Sequence, residues 1–536
     1  MLKALRSLRT SRWLGWAAGA AIIILFLLPL VSPLIVVPKL DEFIVVYDSQ
    51  RVLEGAVPYR DFFNFILPGT FYALAACFAP FGHGSLTIAR YAAMALILLN
   101  WSLLHLALLR SGWPRREAWL LSMVYPVCVV PFWPIASHHW LAHLACMGFL
   151  AVAAGGMASL SMRRAFGLGM WAGLAACVLQ TEALFLAIAG AALVALTASS
   201  TRDRVAKEGA FVLGSALLPA ALYLPLLFAG VGRNLWADTV LWPARNYSNT
   251  GNDNARFLLD DVPIRLHALW SGVQGWRSWP WLPLALAGTA LYVLILLGAA
   301  ATLGAAVWVL SKALRTRRNL DSLALVSCLV TVLGFGLFLR GRPGWQWLLY
   351  LFAFLMAMWL VTLGPNRAKC PLFRRTIVMW AALTLATGFA YQCRWIWYHW
   401  PTCEELADVD RPVRDDALHR WLRSPGVLKP GDTVAAFPEG GEFYLYGIRP
   451  ALGYTFFTPL AEGLHDEKDQ SAAAAQIQSN HAAIILMPTS EEQLYLDPRS
   501  AVGRLIRSEY ERRGDVGQTV VYSRRRAIAP AQPGAP

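Results

Sequence analysis

Hydrophobic and polar positions divide this chain into long apolar runs separated by short charged connections. A transmembrane helix needs about 20 mostly apolar residues. Eleven runs approach that length: 13–37, 86–109, 117–133, 140–160, 166–181, 183–199, 209–230, 283–310, 322–339, 345–363 and 376–391. The pattern predicts a polytopic α-helical membrane protein with about eleven spans. The stretch 166–199 can be read as two short spans or as one long broken span.

Basic residues in the connections predict the orientation of these spans. They form six clusters: Lys3/Arg6/Arg9/Arg12, Arg110/Arg115/Arg116, Arg163/Arg164, Arg202/Arg204/Lys207, Lys312/Arg315/Arg317/Arg318 and Arg367/Lys369/Arg374/Arg375. If 166–199 forms two spans, all six clusters share one face, which the positive-inside rule makes cytoplasmic. The N-terminus is then cytoplasmic, and the first loop (38–85) and everything after about residue 392 are external.

Composition agrees with a membrane protein. The 536 residues are 57% hydrophobic and 15% charged, whereas soluble domains contain about 25% charged residues. The net charge of +14 comes from the connections, and no soluble segment combines a basic patch with interleaved aromatics, which argues against a nucleic-acid partner. The eight cysteines show no zinc-ligand spacing. Cys393 and Cys403 share a predicted external segment, where a disulfide is permitted but not required.

The first external loop contains two short helical patterns. In 43–55, Asp48, Arg51 and Glu54 recur at a spacing of three opposite a stripe of valine and leucine, which predicts an amphipathic helix in the membrane interface. The run 68–78 is apolar but too short to span, and it begins with Pro68. It predicts a second interfacial or re-entrant helix.

The C-terminal part of the chain has a different character. Charges return after residue 404, and β-like runs occur at 433–437, 482–487 and 519–522 with helical stretches between them. We therefore predict a membrane domain over 1–391, a small external α/β domain over 392–526, and a disordered tail over 527–536.

Asp41 and Glu42 are the first candidates for chemistry. They follow the end of the first apolar run, and carboxylates at such a boundary suggest a function because they are costly within hydrocarbon. A carboxylate near apolar surroundings has its pKa raised toward the range useful for a general base. Cations on the same face suit the phosphate of a membrane-anchored substrate; the candidates are Lys39, Arg60, Arg245, Arg340 and Arg342.

These residues resemble the GT-C superfamily of membrane glycosyltransferases, including bacterial relatives of protein O-mannosyltransferases and of lipid A aminoarabinose transferases. The matching features are the basic start, one span, Asp41-Glu42, the helical pattern ending at Leu53-Glu54-Gly55, and the run 57–63, Val-Pro-Tyr-Arg-Asp-Phe-Phe. The likeness is sharp over 1–110 and architectural over 111–391.

The resemblance implies a GT-C fold and transfer of a hexosyl or pentosyl group from a polyprenyl-phosphate donor to a lipid, glycan or protein acceptor. The reaction would occur at the external face of the bacterial cytoplasmic membrane, among membrane lipids. In this family an acid of the first external loop is the base or orients the acceptor. Asp41 is the matching position, with Glu42 beside it.

Four more residues are candidate substrate ligands. Asp61 can be a second acid or the salt-bridge partner of Arg60, and Glu182 lies in another predicted external turn. Several GT-C enzymes carry an acid associated with metal or donor phosphate in the second external loop, where this chain has His138 and His139. The two histidines could bind phosphate or metal, and no cofactor is required by the pattern.

Two other functions fit a polytopic protein with external cations. A transporter or flippase of lipid-linked glycans would place ionisable residues or broken helices near the bilayer midplane, and only the break in 166–199 suggests this. A ligase that moves whole glycans would also use external arginines, but it gives no reason for Asp41 and Glu42.

Overall fold

The computed structural model describes residues 12–32, 40–128, 135–154, 160–246, 282–316, 322–340, 345–363, 371–398, 401–438, 440–454 and 467–525. Up to residue 398 the regular elements of the described chain are all helices. The helices are α1 (Arg12–Val31), α2 (Leu40–Leu53), α3 (Gly69–Phe78), α4 (Leu86–Arg110), α5 (Arg115–Cys128), α6 (His138–Ala153), α7 (Met162–Val178), α8 (Gln180–Thr197), α9 (Thr201–Phe228), α10 (Gly232–Trp236), α11 (Trp242–Asn246), α12 (Leu282–Thr316), α13 (Ser322–Arg340), α14 (Trp345–Leu363) and α15 (Pro371–Tyr398).

Each of the eleven apolar runs seen in the sequence contains a helix, although the ends of the runs 13–37, 117–133 and 140–160 lie outside the described residues. By length and composition, three helices of the described chain are sufficient to cross a membrane: α4, α8 and α9. Shorter apolar helical stretches occur in α1, α3, α12, α13 and α14. The protein therefore has the apolar helices of a membrane protein, and the full count of eleven crossings stays a prediction.

The ambiguous stretch 166–199 forms two helices that fold back on each other. Leu179 between them has an extended backbone (φ −152°, ψ 124°). Gly169 of α7 and Gly190 of α8 lie about equally far from this break, and both contact Phe211 of α9. The two helices therefore run side by side in opposite directions, which is the arrangement that the basic clusters favour.

Glycines bring α7 and α9 into close contact. A Cβ atom at Gly169 would lie 2.1 Å from the Phe211 carbonyl oxygen, and one at Gly173 would lie 2.6 Å from that of Ser215. A Cβ atom at Gly214 of α9 would lie 2.3 Å from the Phe166 carbonyl oxygen. Helices in a bilayer associate through packing rather than through the hydrophobic effect, so small residues at four-residue spacing stabilise this pair.

The helix α2 forms as predicted, but most of it is buried. Residues 43–49 are all buried, and Asp48 accepts a hydrogen bond from the Asn64 amide (2.7 Å). The aromatic ring of Tyr444, from the C-terminal part, packs 5.5 Å from that of Tyr47. The expected exposure of the polar face is therefore wrong at Asp48, whose carboxylate is buried against Asn64 of the first loop, whereas Glu54 is exposed.

The helix α3 is the short element expected after Pro68. It spans only ten residues and continues into a single 3-10 turn, Ala79–Phe81. A Cβ at Gly69 would lie 2.5 Å from the carbonyl oxygen of Cys177, at the end of α7. The start of α3 is therefore packed tightly against the α7–α8 break.

The C-terminal part contains short helices and one four-stranded sheet. The helices are α16 (Cys403–Ala407), α17 (Arg411–Arg414), α18 (Ala417–Leu422), α19 (Gly441–Leu445), α20 (Glu467–Ser479), α21 (Glu492–Tyr495) and α22 (Ala501–Glu509), and the strands are β1 (Thr433–Ala436), β2 (Ala482–Pro488), β3 (Tyr510–Val516) and β4 (Thr519–Arg524). The strand order is β1-β2-β4-β3, with β1 parallel to β2 and the other pairs antiparallel. Cys403 has a free, exposed thiol, and the side chain of Cys393 lies outside the described residues.

Asp410 joins this C-terminal part to the membrane helices. Its carboxylate accepts hydrogen bonds from the hydroxyls of Ser85 and Thr87 and from the backbone N–H of Leu86, all at 2.8–2.9 Å. The hydroxyl of Tyr446 donates to the same carboxylate (3.0 Å). The first turn of α4 has N–H groups without intrahelical partners, and a carboxylate there is favoured by the helix dipole.

Candidate functional site

An ion pair between Glu42 and Arg90 anchors the start of α2. Arg90 Nη2 lies 2.6 Å from Glu42 Oε2, its Nε donates to Oε1 at 2.9 Å, and both side chains are at most 2% exposed. The backbone N–H of Ala136 donates to the same carboxylate (2.8 Å), and Arg90 Nη1 donates to the Val31 carbonyl (2.9 Å). One ion pair thus joins four segments: the end of α1, α2, α4 and the residues before α6.

Asp41 lies in the first turn of α2, where the helix dipole favours a negative charge. Successive side chains on a helix point about 100° apart, so Asp41 cannot share the direction of Glu42. Glu42 is completely buried, whereas Asp41 is half-buried. The pair therefore has two environments, with Glu42 fully buried in an ion pair and Asp41 only partly buried.

His138 and His139 begin α6, close to Glu42 in space. Ala136, whose N–H binds Glu42, lies only two residues before His138. Both imidazoles are buried with ring centroids 4.1 Å apart, and among the described residues His138 Nδ1 has no hydrogen-bond partner. The structure therefore brings four predicted site residues, Asp41, Glu42, His138 and His139, into one region.

Asp61 and Arg60 form an ion pair at the surface of the first loop. Their closest atoms are 2.8 Å apart, and Asp61 also accepts a hydrogen bond from the Val57 N–H (2.7 Å). The Arg60 guanidinium, helped by the Val57 amide, lowers the pKa of Asp61 to about 2. Asp61 was expected to be either a second acid of the site or the salt-bridge partner of Arg60, and these contacts match the salt-bridge partner.

The loop turns at Tyr59, a residue with positive φ (66°) whose hydroxyl donates to the Ile66 carbonyl (2.6 Å). Arg51 of α2 donates to the Asp61 carbonyl (2.7 Å) and stacks over the Phe62 ring, 4.5 Å from its centroid. The run 57–63 therefore folds into a rigid turn fixed to α2.

Arg245 belongs to α11, which packs against the same loop. Trp242 of α11 stacks on Phe65 with ring centroids 5.2 Å apart, and it meets Phe63 edge-on at 5.5 Å. Gln180, at the start of α8, donates to the Phe65 carbonyl (3.3 Å) and the Thr239 carbonyl (2.9 Å). Arg245 itself is exposed, and the described part of the chain contains no ion-pair partner for it.

Glu182 lies in the first turn of α8, where its carboxylate accepts a hydrogen bond from the Thr181 hydroxyl. It shares this turn with Gln180, whose amide donates to the Phe65 carbonyl, and within the described residues no hydrogen bond or ion pair joins it to Glu42. Lys39 and Arg342 fall outside the described residues, as does the side chain of Arg340. Their part in a site stays a prediction.

The sequence did not single out Arg90, Asp238 or Asp410. Arg90 is an ionisable residue within the apolar run of α4, and such a residue is by default a functional candidate. Asp238, in the π-helical turn Ala237–Leu241 between α10 and α11, is half-buried. Burial, with the negative charge of Asp469 nearby, raises its pKa to about 7.

In the described regions, no three His, Cys, Asp or Glu side chains are grouped so that they could hold a metal ion.

No protein-family model matches the sequence, and comparison with curated protein sequences finds no match. The fold is similar to that of ArnT from Cupriavidus metallidurans bound to undecaprenyl phosphate, with a TM-score of 0.52, 11% identity, and coverage of 98% of this chain and 100% of that one. The chain therefore shares the overall fold of this ArnT structure, which is the kind of fold that the sequence resemblance implied.

The oligosaccharyltransferase of Archaeoglobus fulgidus in its apo form is a more distant match, with a TM-score of 0.47, 12% identity, and coverage of 98% of this chain and 76% of that one. The same enzyme tethered with an acceptor peptide gives a TM-score of 0.44 at 12% identity, with coverage of 97% and 75%.

Proposed function

We propose that this protein is a glycosyltransferase that moves a sugar from a polyprenyl-phosphate donor to an acceptor at the external face of the bacterial cytoplasmic membrane. The proposal is carried by one observation, the partly buried Asp41 beside the fully buried Glu42–Arg90 ion pair, within a fold similar to that of ArnT. The similar structure of ArnT holds undecaprenyl phosphate. A lipid-linked donor of that class would keep its tail in the bilayer and its phosphate at the boundary.

Asp41 is the proposed general base. It would take the proton from the acceptor hydroxyl or amine as that group forms a bond to the anomeric carbon. The bond between this carbon and the phosphate oxygen breaks, and the lipid phosphate leaves with the electron pair. Such base assistance accelerates reactions by about 10²–10⁴-fold.

Glu42 is proposed to position Asp41. Its carboxylate is already occupied by Arg90 and by the Ala136 amide. A buried carboxylate held in this way fixes the first turn of α2, and therefore fixes the direction from which Asp41 approaches the acceptor. Positioning of this kind contributes to the rate because misplacement of a reacting group by about 1 Å can cost about 10²-fold.

The leaving phosphate needs cationic donors where its charge develops. The surroundings of two of the predicted phosphate-binding cations are described. Arg60 is paired with Asp61, whereas Arg245 is exposed and has no ion-pair partner in the described chain. We therefore favour Arg245, which shares the wall formed by Trp242, Phe63 and Phe65. Lys39, Arg340 and Arg342 stay proposed members of the same group.

The test is incubation of the purified protein with a panel of polyprenyl-phosphate sugars and candidate acceptors. The proposal predicts release of free polyprenyl phosphate that matches the formation of a glycosylated acceptor. A flippase would move the donor across the bilayer of a vesicle without releasing lipid phosphate. A ligase would act on a lipid-linked glycan but not on a single lipid-linked sugar.

A further inference from the structure

A basic cavity lies at the end of the helix bundle away from Asp41. Its volume is about 360 Å³, and it is lined by Arg110, Arg163 and Arg164 together with Val152, Ala154 and Gly167. Ligand pockets in proteins measure about 300–1,000 Å³, so this cavity can hold a small polar group. Three arginines on one cavity indicate an anionic ligand.

Three elements bring these arginines together. Arg110 ends α4, and its Nη1 donates to the Ala151 carbonyl in the last turn of α6 (2.7 Å). Arg163 and Arg164 stand in the first turn of α7, where the hydroxyl of Ser161 caps the helix. Within the described chain, neither Arg110 nor Arg163 forms an ion pair with a carboxylate, so their charges are available to a ligand.

The position of the cavity relative to Arg90 follows from the length of α4. Arg90 and Arg110 are twenty residues apart on one helix, which corresponds to about 30 Å at 1.5 Å per residue. The hydrocarbon core of a bilayer is also about 30 Å thick. The Glu42–Arg90 site and the basic cavity therefore lie at opposite boundaries of the same membrane.

We propose that this cavity binds the phosphate headgroup of an anionic phospholipid from the leaflet opposite Asp41. The guanidinium groups match phosphate oxygens with paired hydrogen bonds. Basic pockets between transmembrane helices on the cytoplasmic side are known to hold such headgroups. The lipid would join the ends of α4 and α6 to the start of α7, and this role is independent of sugar transfer.

The test is native mass spectrometry of the full chain in detergent, titrated with phosphatidylglycerol or with phosphatidylcholine. We expect retention of phosphatidylglycerol and little retention of the zwitterionic lipid. The triple variant Arg110→Gln/Arg163→Gln/Arg164→Gln should bind phosphatidylglycerol on the order of a hundredfold more weakly. Glycerol 3-phosphate in a parallel titration tests for a soluble ligand, and competition by it at matching concentrations would contradict a lipid.

Two further variants separate the cavity from the surrounding charge. Arg115→Gln/Arg116→Gln removes two exposed charges at the start of α5 that do not line the cavity, and it should retain lipid binding. Gly167→Leu keeps every charge but places a side chain in the cavity. A Cβ at this position would contact only the Val152 methyl groups, at 3.6–3.9 Å, so the leucine can be accommodated by the fold. This variant should lose lipid binding. Equal loss in the Arg115/Arg116 variant, or full binding by Gly167→Leu in a folded protein, would overturn the proposal.

Discussion

Arg90 holds Glu42 by two hydrogen bonds of 2.6 and 2.9 Å at a place where neither side chain reaches solvent. This pair ties α2 to α4, and the Ala136 amide extends it to the start of α6. A charge buried near hydrocarbon must be paired, so each partner requires the other. Asp41, one residue earlier on α2, takes its position from this anchor.

The first prediction concerns that pair. Glu42→Gln and Arg90→Met should each lower the free energy of unfolding by about 3–5 kcal/mol, because each leaves an unpaired buried group. The double variant Glu42→Leu/Arg90→Met should recover most of the loss. The measurement is denaturant unfolding in detergent. The control is Glu208→Gln, which breaks an exposed pair with Arg204 and should cost less than about 1 kcal/mol. Single-variant losses no larger than this control would contradict the assignment.

The second prediction concerns the docking of the C-terminal part. Asp410→Ala removes the acceptor for Ser85, Leu86 and Thr87 and should cost about 1.5–3 kcal/mol, the range for hydrogen bonds to a charged group. The backbone amides in the first turn of α4 should exchange their hydrogens faster in this variant than in the wild-type protein. The matched control is Asp415→Ala, an exposed carboxylate whose nearest arginine atoms are 3.8–3.9 Å away. Unchanged exchange rates at Leu86 and Thr87 would show that Asp410 does not hold the C-terminal part against the start of α4.

The third prediction concerns pH. Burial raises the pKa of Glu442 to about 7 from its ordinary value of 4.5, with Asp416 adding to the rise and His419 opposing it. The folded state therefore keeps the proton more tightly than the unfolded state, and stability falls as the pH rises from about 4.5 to about 7.

Glu442→Gln does not titrate, so it should exceed the wild-type stability at pH 8, by up to about 3 kcal/mol. The difference should vanish near pH 4. Thermal unfolding of both proteins across this range checks the sign. A difference that stays constant with pH would contradict the burial of an ionisable group at this position.

The fourth prediction concerns the contact between α7 and α9. Gly169→Ala places a Cβ 2.1 Å from the Phe211 carbonyl, so it should destabilise the protein by about 1–3 kcal/mol. Gly209→Ala, in α9 itself, meets no atom within 4 Å and should be neutral or stabilising by up to about 1 kcal/mol. Equal effects of the two substitutions on the thermal midpoint would argue against close glycine packing.

Much of the helical fold follows from local sequence because apolar length and proline position are local signals. Helix α3 after Pro68 is such a case, whereas the stretch 166–199 allowed two readings and its break lies at Leu179, before the turn predicted around Glu182. Strand β3 was missed because it pairs only with β4 at the sheet edge and carries the charges typical of an edge. The burial of Asp48 was missed because its partner, Asn64, lies in the loop that follows the helix, and the helical pattern does not show how that loop folds back.

The candidate site could be predicted only in part. Asp41 and Glu42 are adjacent in sequence, but their separate environments depend on Arg90, which is 48 residues from Glu42. The position of α11, the helix that carries Arg245, depends on the contacts of Trp242 with Phe63 and Phe65, and no spacing rule predicts such contacts. Long-range pairs of this kind become visible only when the chain is folded.

We propose Asp41 as the general base of a sugar transfer. The most direct measurement is the release of polyprenyl phosphate by purified Asp41→Asn, with Glu208→Gln as a carboxylate control on the predicted cytoplasmic side. We expect a loss of about 10²–10⁴-fold in Asp41→Asn at an unchanged thermal midpoint, and wild-type release in the control. Release by Asp41→Asn near the wild-type rate would contradict the role of Asp41 as the base.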